Sequence, residues 1–156
     1  MRDVWADRIA AVIASTGFSG FSPIAPGTVG SAIAVILLWW IPVPPPALAA
    51  AILVLLFFIG VWSATRAETL WGHDAGRINI DEVAGMIIAV LFVPRTIWVY
   101  SAAFILFRLF DIVKPYPANV SQRLARGWGV MVDDVFAGIY ANLLLQVMLR
   151  LSLLPG

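Results

Sequence analysis

The chain has 156 residues, of which 62% are hydrophobic and 12% are charged, with a net charge of +1 and no cysteine. Soluble domains are about 45–50% apolar and about 25% charged, so this composition does not fit a soluble domain and indicates one membrane-embedded domain, residues 1–156. The near-zero net charge argues against a nucleic-acid partner, and the lack of cysteine excludes disulfides and thiolate chemistry.

The apolar segments predict an all-α integral membrane protein with about five transmembrane or partly spanning helices. An N-terminal interfacial helix precedes them, because Trp5, Ile9 and Val12 form one apolar stripe within residues 1–16. Proline-rich or polar segments separate the five apolar runs, which are 31–41, 47–64, 83–93, 96–107 and 135–154. The first and third are too short to cross a hydrocarbon core of about 30 Å unless their flanks are also helical.

The distribution of charge indicates an orientation. If the runs alternate across the bilayer from an inner start, Arg95 and Arg150 are the only charged residues on the outer side. The inner side holds all the carboxylates, including Asp74, and the remaining basic residues, which are Arg2, Arg8, Arg66, Arg77, Arg108, Lys114, Arg123 and Arg126. Basic loops stay in the cytoplasm, so this face is predicted to be cytoplasmic. A polar active site would explain the acids there; hydrophilic loops collecting on one side are the alternative.

Five acids lie where apolar runs meet the inner boundary, and they are the predicted catalytic residues: Asp81, Glu82, Asp111, Asp133 and Asp134. Like charges ~4 Å apart repel by about 4 kcal/mol at an intermediate dielectric, so clustered carboxylates favour a bound cation. Oxygen ligands without cysteine or clustered histidine favour Mg²⁺, with Mn²⁺ or Ca²⁺ as alternatives. The predicted metal ligands are Asp81, Glu82, Asp133 and Asp134, although each could instead cap a helix N-terminus.

A second group of polar residues has a spacing of three. Arg108, Asp111 and Lys114 share one helical face if the fourth helix continues past its apolar run. Arginine can grip a phosphate through two parallel hydrogen bonds and lysine adds a point charge, so Arg108 and Lys114 are predicted phosphate ligands. Alternatively, Arg108 pairs with Asp111 while Lys114 extends to the lipid headgroups.

Two glycine-containing segments could present backbone N–H groups to a phosphate. The first is 17–30, GFSGFSPIAPGTVG, in which Thr28 is a predicted phosphate ligand ahead of a helix. Gly127 and Gly129 offer a second such loop. His73 is the one histidine, and it is a candidate for proton transfer or an ordinary surface residue.

Four strings in chain order resemble the motifs of the phosphatidylglycerophosphatase A family. They are GFSGFSPIAPGTVGS (17–31), HDAGRINIDEVAG (73–85), FRLFDIVKPYP (107–117) and GWGVMVDDVFAG (127–138). One departure is Arg126, which stands where the family often has the first of two paired glycines. The acids and the Arg108–Asp111–Lys114 group all match the family pattern.

The resemblance implies an Mg²⁺-dependent phosphomonoester hydrolase that converts phosphatidylglycerophosphate to phosphatidylglycerol and phosphate. It implies a multi-pass protein of the bacterial inner membrane, with a phospholipid substrate and membrane lipids as its partners. The nucleophile is water or an aspartate, Asp81 or Asp133. The alternative function is a transporter or cation-binding protein with a cytoplasmic acidic site, but transporters usually hold such acids near the bilayer midplane. A single histidine argues against a histidine-dependent lipid phosphatase.

Overall fold

The computed structural model describes residues 3–73 and 75–155, and within these ranges the ordered elements are all helical. The seven α-helices are α1 (Val4–Ala14), α2 (Pro26–Trp40), α3 (Pro46–Trp71), α4 (Ile80–Ala89), α5 (Ile97–Val113), α6 (Ala118–Ser121) and α7 (Gly127–Arg150), with a 3₁₀ turn at Ser19–Phe21. The all-α prediction is confirmed. Arg2 and Asp74, which entered the charge argument, lie outside the described residues.

By length and composition, α3 and α7 could each cross a membrane, and α2 is a shorter apolar helix. At about 1.5 Å per residue, α3 is ~39 Å long and α7 is ~36 Å long, which exceeds a hydrocarbon core of about 30 Å. In contrast, α4 has only 10 residues. The five predicted spans are therefore of unequal length, and two of them have the length of a full crossing.

Helices α2, α4 and α7 begin at least three residues before their apolar runs, and α4 begins at Ile80 rather than at 83. Helix α2 begins at Pro26, because proline suits the first turn, where its missing N–H would have no intrahelical partner. The last part of the predicted loop 17–30 is therefore helical. Helix α7 begins at Gly127, so the prediction of a glycine loop at Gly127 and Gly129 is wrong. Backbone atoms of Val61 and Thr65 lie against Gly127, and only glycine leaves room for them.

Two helices end later than predicted. Helix α3 continues to Trp71, which makes residues 65–71 of the polar segment between the second and third runs helical. Helix α5 continues to Val113, so Arg108 and Asp111 do share a helical face. All of these boundary errors have one cause. Hydropathy detects apolar residues, whereas the ends of these helices carry polar residues that face one another rather than lipid.

The helices alternate in direction, so their ends gather at two opposite ends of the bundle. At one, which we call the site end, the first turns of α2 and α4 meet, and the Gly127 amide of α7 donates a hydrogen bond to Thr65 of α3 at 3.2 Å. At the other, the far end, Arg95 donates to the Trp39 carbonyl at 3.1 Å and Thr96 to the Pro155 carbonyl at 3.3 Å. This arrangement matches the alternation assumed from the sequence.

Helices α4 and α7 cross at two glycines. A Cβ atom on Gly138 would lie 2.5 Å from the Gly85 carbonyl oxygen, so the two backbones are in direct contact. A Cβ atom on Gly85 would lie 2.3 Å from the Phe107 ring and 2.9 Å from the Asp134 carbonyl oxygen. Small residues permit such close approach between membrane helices. Gly85 follows Asp81 by four residues and Gly138 follows Asp134 by four, so this tight packing face lies one turn from two of the acids.

The short helix α4 ends inside the bundle, where its last carbonyls need partners. Asn142 of α7 supplies them, because its Nδ2 donates to the carbonyls of Ala89 at 3.0 Å and Leu91 at 2.8 Å. Gln146 then donates to the Asn142 side-chain oxygen at 2.6 Å. These contacts fix the end of α4 against α7 and complete the frame that positions the acids.

Candidate functional site

Three acids meet at the site end between α4 and α7. Asp81 and Glu82 lie in the first turn of α4, and Asp134 lies in the second turn of α7. One carboxylate oxygen from each lies within 4.8 Å of the others. Glu82 is 8% exposed and Asp134 is 1% exposed. We refer to Asp81, Glu82 and Asp134 as the acidic trio.

Each member of the trio has a buried oxygen with no hydrogen-bond partner among the described residues: Asp81 Oδ1, Glu82 Oε2 and Asp134 Oδ2. Burying a carboxylate without a partner is costly, and three such groups side by side also repel one another. Oxygen donors of this kind and number suit a hard divalent cation such as Mg²⁺. The residues present therefore fit the predicted ion.

Asp133, the fourth predicted metal ligand, is directed elsewhere. Its Oδ2 accepts a hydrogen bond from the Lys114 ammonium, and its Oδ1 accepts one from the backbone N–H of Asp134 at 3.1 Å. The structure thus brings three of the four predicted ligands together and places Asp133 in a neighbouring ion pair. Consecutive residues on a helix point about 100° apart, which is why Asp133 and Asp134 face different neighbours.

Arg108 and Lys114 border the trio from α5. Arg108 Nη1 lies 2.7 Å from Asp111 Oδ2 and 3.8 Å from Glu82 Oε1. Its Nε is buried and has no hydrogen-bond partner in the part of the chain that the structure describes. Lys114 Nζ lies 3.5 Å from Asp111 Oδ1 in addition to its bond with Asp133. Asp111 therefore holds both cations in place. The pairing of Arg108 with Asp111 that the spacing suggested is present, and it leaves the Arg108 Nε–H available.

Lys114 keeps its positive charge in this setting. Burial alone would lower the pKa of Lys114, but the hydrogen bond to Asp133 and the charges of Asp133 and Asp111 outweigh it. The net effect raises the pKa of the ammonium above its ordinary value. Lys114 is consequently a permanent cation at any physiological pH.

The first turn of α2 closes another side of the site. A Cβ atom on Gly27 would lie 2.2 Å from Glu82 Oε1 and 3.3 Å from Arg108 Nη1, so the glycine lets both side chains approach the backbone of α2. Arg108 also donates to Ser31 Oγ at 3.4 Å. Thr28, the predicted phosphate ligand, is half-buried in the same turn. The positive end of the α2 dipole thus points at the region that holds the acids and Arg108.

Asn79 is a site residue that the sequence analysis missed. It is fully buried, and its Nδ2 donates to Ser19 Oγ at 2.9 Å and to the Pro26 carbonyl at 3.3 Å. These bonds tie the segment before α2 to the start of α4. An asparagine just before a helix ordinarily indicates an N-cap, but this side chain makes no capping bond to α4. No sequence signal distinguishes the two uses.

His73 lies on the Asp133 side of the site rather than against the trio. Its ring is 71% exposed, and Nδ1 is 2.6 Å from Glu68 Oε1. The ring borders a cavity of about 160 Å³. The other residues that line this cavity are Gln122, Gly129, Val130 and Asp133. The predicted proton-transfer residue therefore lines the same cavity as one of the predicted catalytic acids and is open to water.

Comparisons with known proteins agree with this geometry. The family model described as phosphatidylglycerophosphatase A matches residues 12–149. Two proteins with that name, from Escherichia coli and Haemophilus influenzae, are each 37% identical to the chain; the matches cover 80% and 81% of it, and 75% and 81% of those proteins. A Bacteroides thetaiotaomicron relative, whose name proposes a phosphatidylinositol-3-phosphatase, is 46% identical over 87% of the chain and 91% of its own length. No solved structure matches.

Proposed function

The chain belongs to the phosphatidylglycerophosphatase A family, and from this premise we propose that it hydrolyses phosphatidylglycerophosphate to phosphatidylglycerol and phosphate, with Mg²⁺, at the cytoplasmic face of a bacterial inner membrane. Family membership makes the chain a phosphatase and gives it a phospholipid substrate. The observation that carries the metal requirement is the acidic trio, whose buried oxygens lack protein partners.

In this proposal Asp81, Glu82 and Asp134 hold the ion. When bound, Mg²⁺ supplies positive charge for the phosphate oxygens and lowers the pKa of a water molecule. Asp133 orients Lys114 through their hydrogen bond, and Asp111 orients Arg108. This assignment moves Asp133 from the predicted ligand set to a supporting position, because its Oδ2 is already bonded to a cation.

The phosphate is bound by the cations that border the trio. Arg108 offers an Nε that has no partner among the described residues, and Lys114 offers its positive charge. Thr28 offers its hydroxyl and its backbone N–H, in the first turn of α2. These groups are fixed before the substrate arrives, so they stabilise charge that develops on the phosphoryl oxygens without reorganising. Catalysis of phosphoryl transfer depends mainly on such positioning and electrostatics.

The attacking oxygen comes from water or from an aspartate, Asp81 or Asp133. In either route the bond between phosphorus and the lipid oxygen breaks, and the departing oxygen takes up a proton. In the aspartate route water then cleaves the bond between phosphorus and the aspartate oxygen, which releases phosphate and restores the carboxylate. His73 is a proton donor for this step, because it borders the cavity that also contains Asp133. An aspartyl phosphate trapped by rapid denaturation would assign the aspartate route, and its absence in single-turnover experiments would assign the water route.

The charge distribution supports a cytoplasmic site. Among the described residues, Arg95 and Arg150 are the charged side chains of the far end, and the other basic residues lie toward the site end. Basic residues are retained on the cytoplasmic side during insertion. The natural absence of cysteine allows a direct check with an impermeant maleimide on intact cells. Val43→Cys should be labelled and Arg123→Cys should not; the reverse pattern would invert the orientation.

A second candidate substrate is phosphatidylinositol 3-phosphate, favoured by the name of the 46% identical relative. Both lipids are phosphomonoesters on a membrane-bound headgroup, so the same cations and acids would serve either one. They differ in the group that carries the phosphate, a flexible glycerol or a rigid inositol ring. The contacts described above all involve the phosphate end and therefore do not select between them.

Phosphate release by the purified protein in detergent tests the proposal. The substrates are phosphatidylglycerophosphate, phosphatidylinositol 3-phosphate and phosphatidic acid, each with Mg²⁺ or with EDTA. We expect release from the first lipid, loss in EDTA and recovery when Mg²⁺ is added back. Preferential release from the inositol lipid would establish the second candidate. No release from any lipid by folded, Mg²⁺-supplied protein would favour the transporter or cation-binding alternative.

A further inference from the structure

An apolar groove of about 610 Å³ runs along the outside of the bundle between α2 and α5. Its walls include Ala32, Ile36 and Trp40 from α2, and Ile97, Ser101 and Phe104 from α5. The side chains along its rim are open to the surroundings, since Trp40 is 78% exposed and Ile97 is 61% exposed. From Ala32 to Trp40 the groove follows ~12 Å of α2, at about 1.5 Å per residue.

The groove leads to the candidate phosphate ligands. On α2 its lining residues Ala32, Ile36 and Trp40 are four apart, and one further step of four toward the site end reaches Thr28. On α5, Phe104 is followed four residues later by Arg108. Residues with such spacing share a helical face. Thr28 and Arg108 therefore stand at the site end of the same groove.

A buried contact joins the two helices near the site end of the groove. Arg108 Nη1 donates to Ser31 Oγ at 3.4 Å, next to Ala32, so the helices meet there. Beyond that contact lie Gly27 and Glu82 of the site itself. The surface thus changes within one helical turn from apolar walls to a buried guanidinium and carboxylates.

We propose that this groove holds one acyl chain of the phospholipid substrate while the phosphate lies at Thr28 and Arg108. The inference rests on the proposed function. A lipid phosphomonoester joins a charged group and an apolar chain covalently, so both must be accommodated on one continuous path. The groove between α2 and α5 provides apolar walls at membrane depth and a cation at the end nearest the acids.

A second apolar groove, of about 430 Å³ between α5 and α7, is a poorer path. The Tyr140 hydroxyl donates to the Tyr116 carbonyl at 2.8 Å across its site end. The nearest cation, Lys114, is already bonded to Asp133. The cation near this groove is therefore already engaged by a carboxylate, whereas Arg108 keeps an N–H without a partner among the described residues.

The groove positions the lipid substrate and adds little to its binding affinity. Lipid tails are as apolar as leucine, so moving an acyl chain from bilayer to groove gains little from burial. Its role is to hold the lipid so that the phosphate arrives in one orientation, and misplacing a substrate by about 1 Å can cost ~100-fold in rate. An obstruction should therefore affect long-chain substrates and spare short-chain ones.

The variant Ser101→Trp tests this proposal, because Ser101 is exposed on the groove wall and its replacement fills the groove without overpacking the core. Ala51→Trp, on the exposed surface of α3, is the matched control. For the long-chain substrate we expect Ser101→Trp to lower kcat/KM about tenfold, with less than about a twofold change for a dihexanoyl analogue. Ala51→Trp should leave both values unchanged. Equal losses on both substrates, or no loss on either, would overturn the proposal.

A measurement without turnover separates this inference from the proposed function. Phosphatidylglycerol with a photoreactive acyl chain should label residues 32–40 and 97–105 in excess of the exposed α3 surface, and Ser101→Trp should abolish the excess. If all lipid-facing surfaces were labelled to the same extent, the proposal that the groove binds an acyl chain would be wrong, whether or not the protein releases phosphate. A dimer in detergent that Ser101→Trp converts to a monomer would instead assign the groove to a second copy of the chain.

Discussion

Two helix pairs flank the acids, and they are packed in opposite ways. Helices α4 and α7 touch backbone to backbone at Gly85 and Gly138, whereas α2 and α5 leave a groove of about 610 Å³ between them. Each glycine follows an acid of the trio by one turn. The tight pair therefore fixes the acids relative to each other, and the open pair borders Arg108 and Thr28, where a substrate would enter.

The difference teaches how one small helical protein combines a rigid charge cluster with an open groove. Three repelling carboxylates stay together only if their helices cannot separate, and glycine contacts provide that constraint. The lipid substrate that we propose needs an opening between helices, and the looser packing of α2 against α5 would provide it. Rigid support and access are assigned to different helices around one site.

The largest expected effect comes from removing one charge on the tight side. Asp134→Asn keeps the shape of the side chain but removes a carboxylate of the trio, and we expect phosphatase activity to fall by roughly 10³-fold. In EDTA the variant should unfold at the same or a higher temperature than the wild type, because one repelling charge is gone. Phosphate release and thermal unfolding in detergent measure the two effects.

Asp7→Asn is the control for this charge change. Asp7 pairs with Arg66 at 2.8 Å on the surface where α1 meets α3, away from the trio. The phosphatase activity of Asp7→Asn should match that of the wild type. If Asp134→Asn were also fully active, Asp134 would have no place in the mechanism and the trio would be a structural cluster.

An intermediate effect is expected from forcing the tight pair apart. Gly138→Ala places a Cβ atom 2.5 Å from the Gly85 carbonyl oxygen and 3.0 Å from Ile88 Cβ. We expect a loss of about 2 kcal/mol in the free energy of unfolding, which is typical of overpacking. Activity should fall about tenfold, because the acids on α4 and α7 move apart.

Gly76→Ala is the matched control, since its Cβ would meet only Pro26 Cγ, at 3.9 Å. It should change neither unfolding nor activity. If Gly138→Ala lost stability yet kept full activity, the contact between α4 and α7 would be needed for the fold and not for the spacing of the acids.

The smallest expected effect concerns the residue that precedes α7. Arg126 has φ 56° and ψ −146°, a conformation that glycine adopts readily and other residues adopt only under strain. Arg126→Gly should raise the free energy of unfolding by about 1 kcal/mol, since the relieved strain exceeds the added entropy of the unfolded chain. Arg123→Gly, at a residue without a positive φ, should lower it slightly in the same thermal assay. If Arg126→Gly lowered the free energy of unfolding, the contacts of the arginine side chain would stabilise the fold by more than its backbone strain destabilises it.

Hydrophobic periodicity predicted the all-α class and the approximate position of each main helix, because lipid and core both select apolar residues. It missed the helical continuation of α3 to Trp71 and the early start of α7 at Gly127. Those segments are polar since they meet one another at the site end, where the Gly127 amide bonds to Thr65. No scale of single-residue hydropathy contains such a pairing.

The composition of the site was predictable to a similar degree. Five acids at one boundary predicted a cluster, and the spacing of three predicted that Arg108 and Asp111 share a face of α5. Lys114 lies just past the end of that helix, in a left-handed conformation, and its ammonium is 3.5 Å from Asp111. The sequence could not separate Asp133 from Asp134, because that distinction depends on which neighbour each helix face meets. Asn79 was missed for the same reason, since its partners Ser19 and Pro26 are more than fifty residues earlier in the chain.

The hydrogen bonds from Asn142 to the end of α4 have a consequence for biosynthesis. Ribosomes deliver the chain from its N-terminus, so α4 is synthesised before α7. Until α7 is made, the carbonyls of Ala89 and Leu91 lack the amide that bonds to them in the finished protein. A ten-residue helix that ends in a packed interior without that amide leaves backbone carbonyls unsatisfied, which is costly. The end of α4 therefore reaches its final packing only after the last helix is made, and the acids of α4 and α7 come together in that same late step.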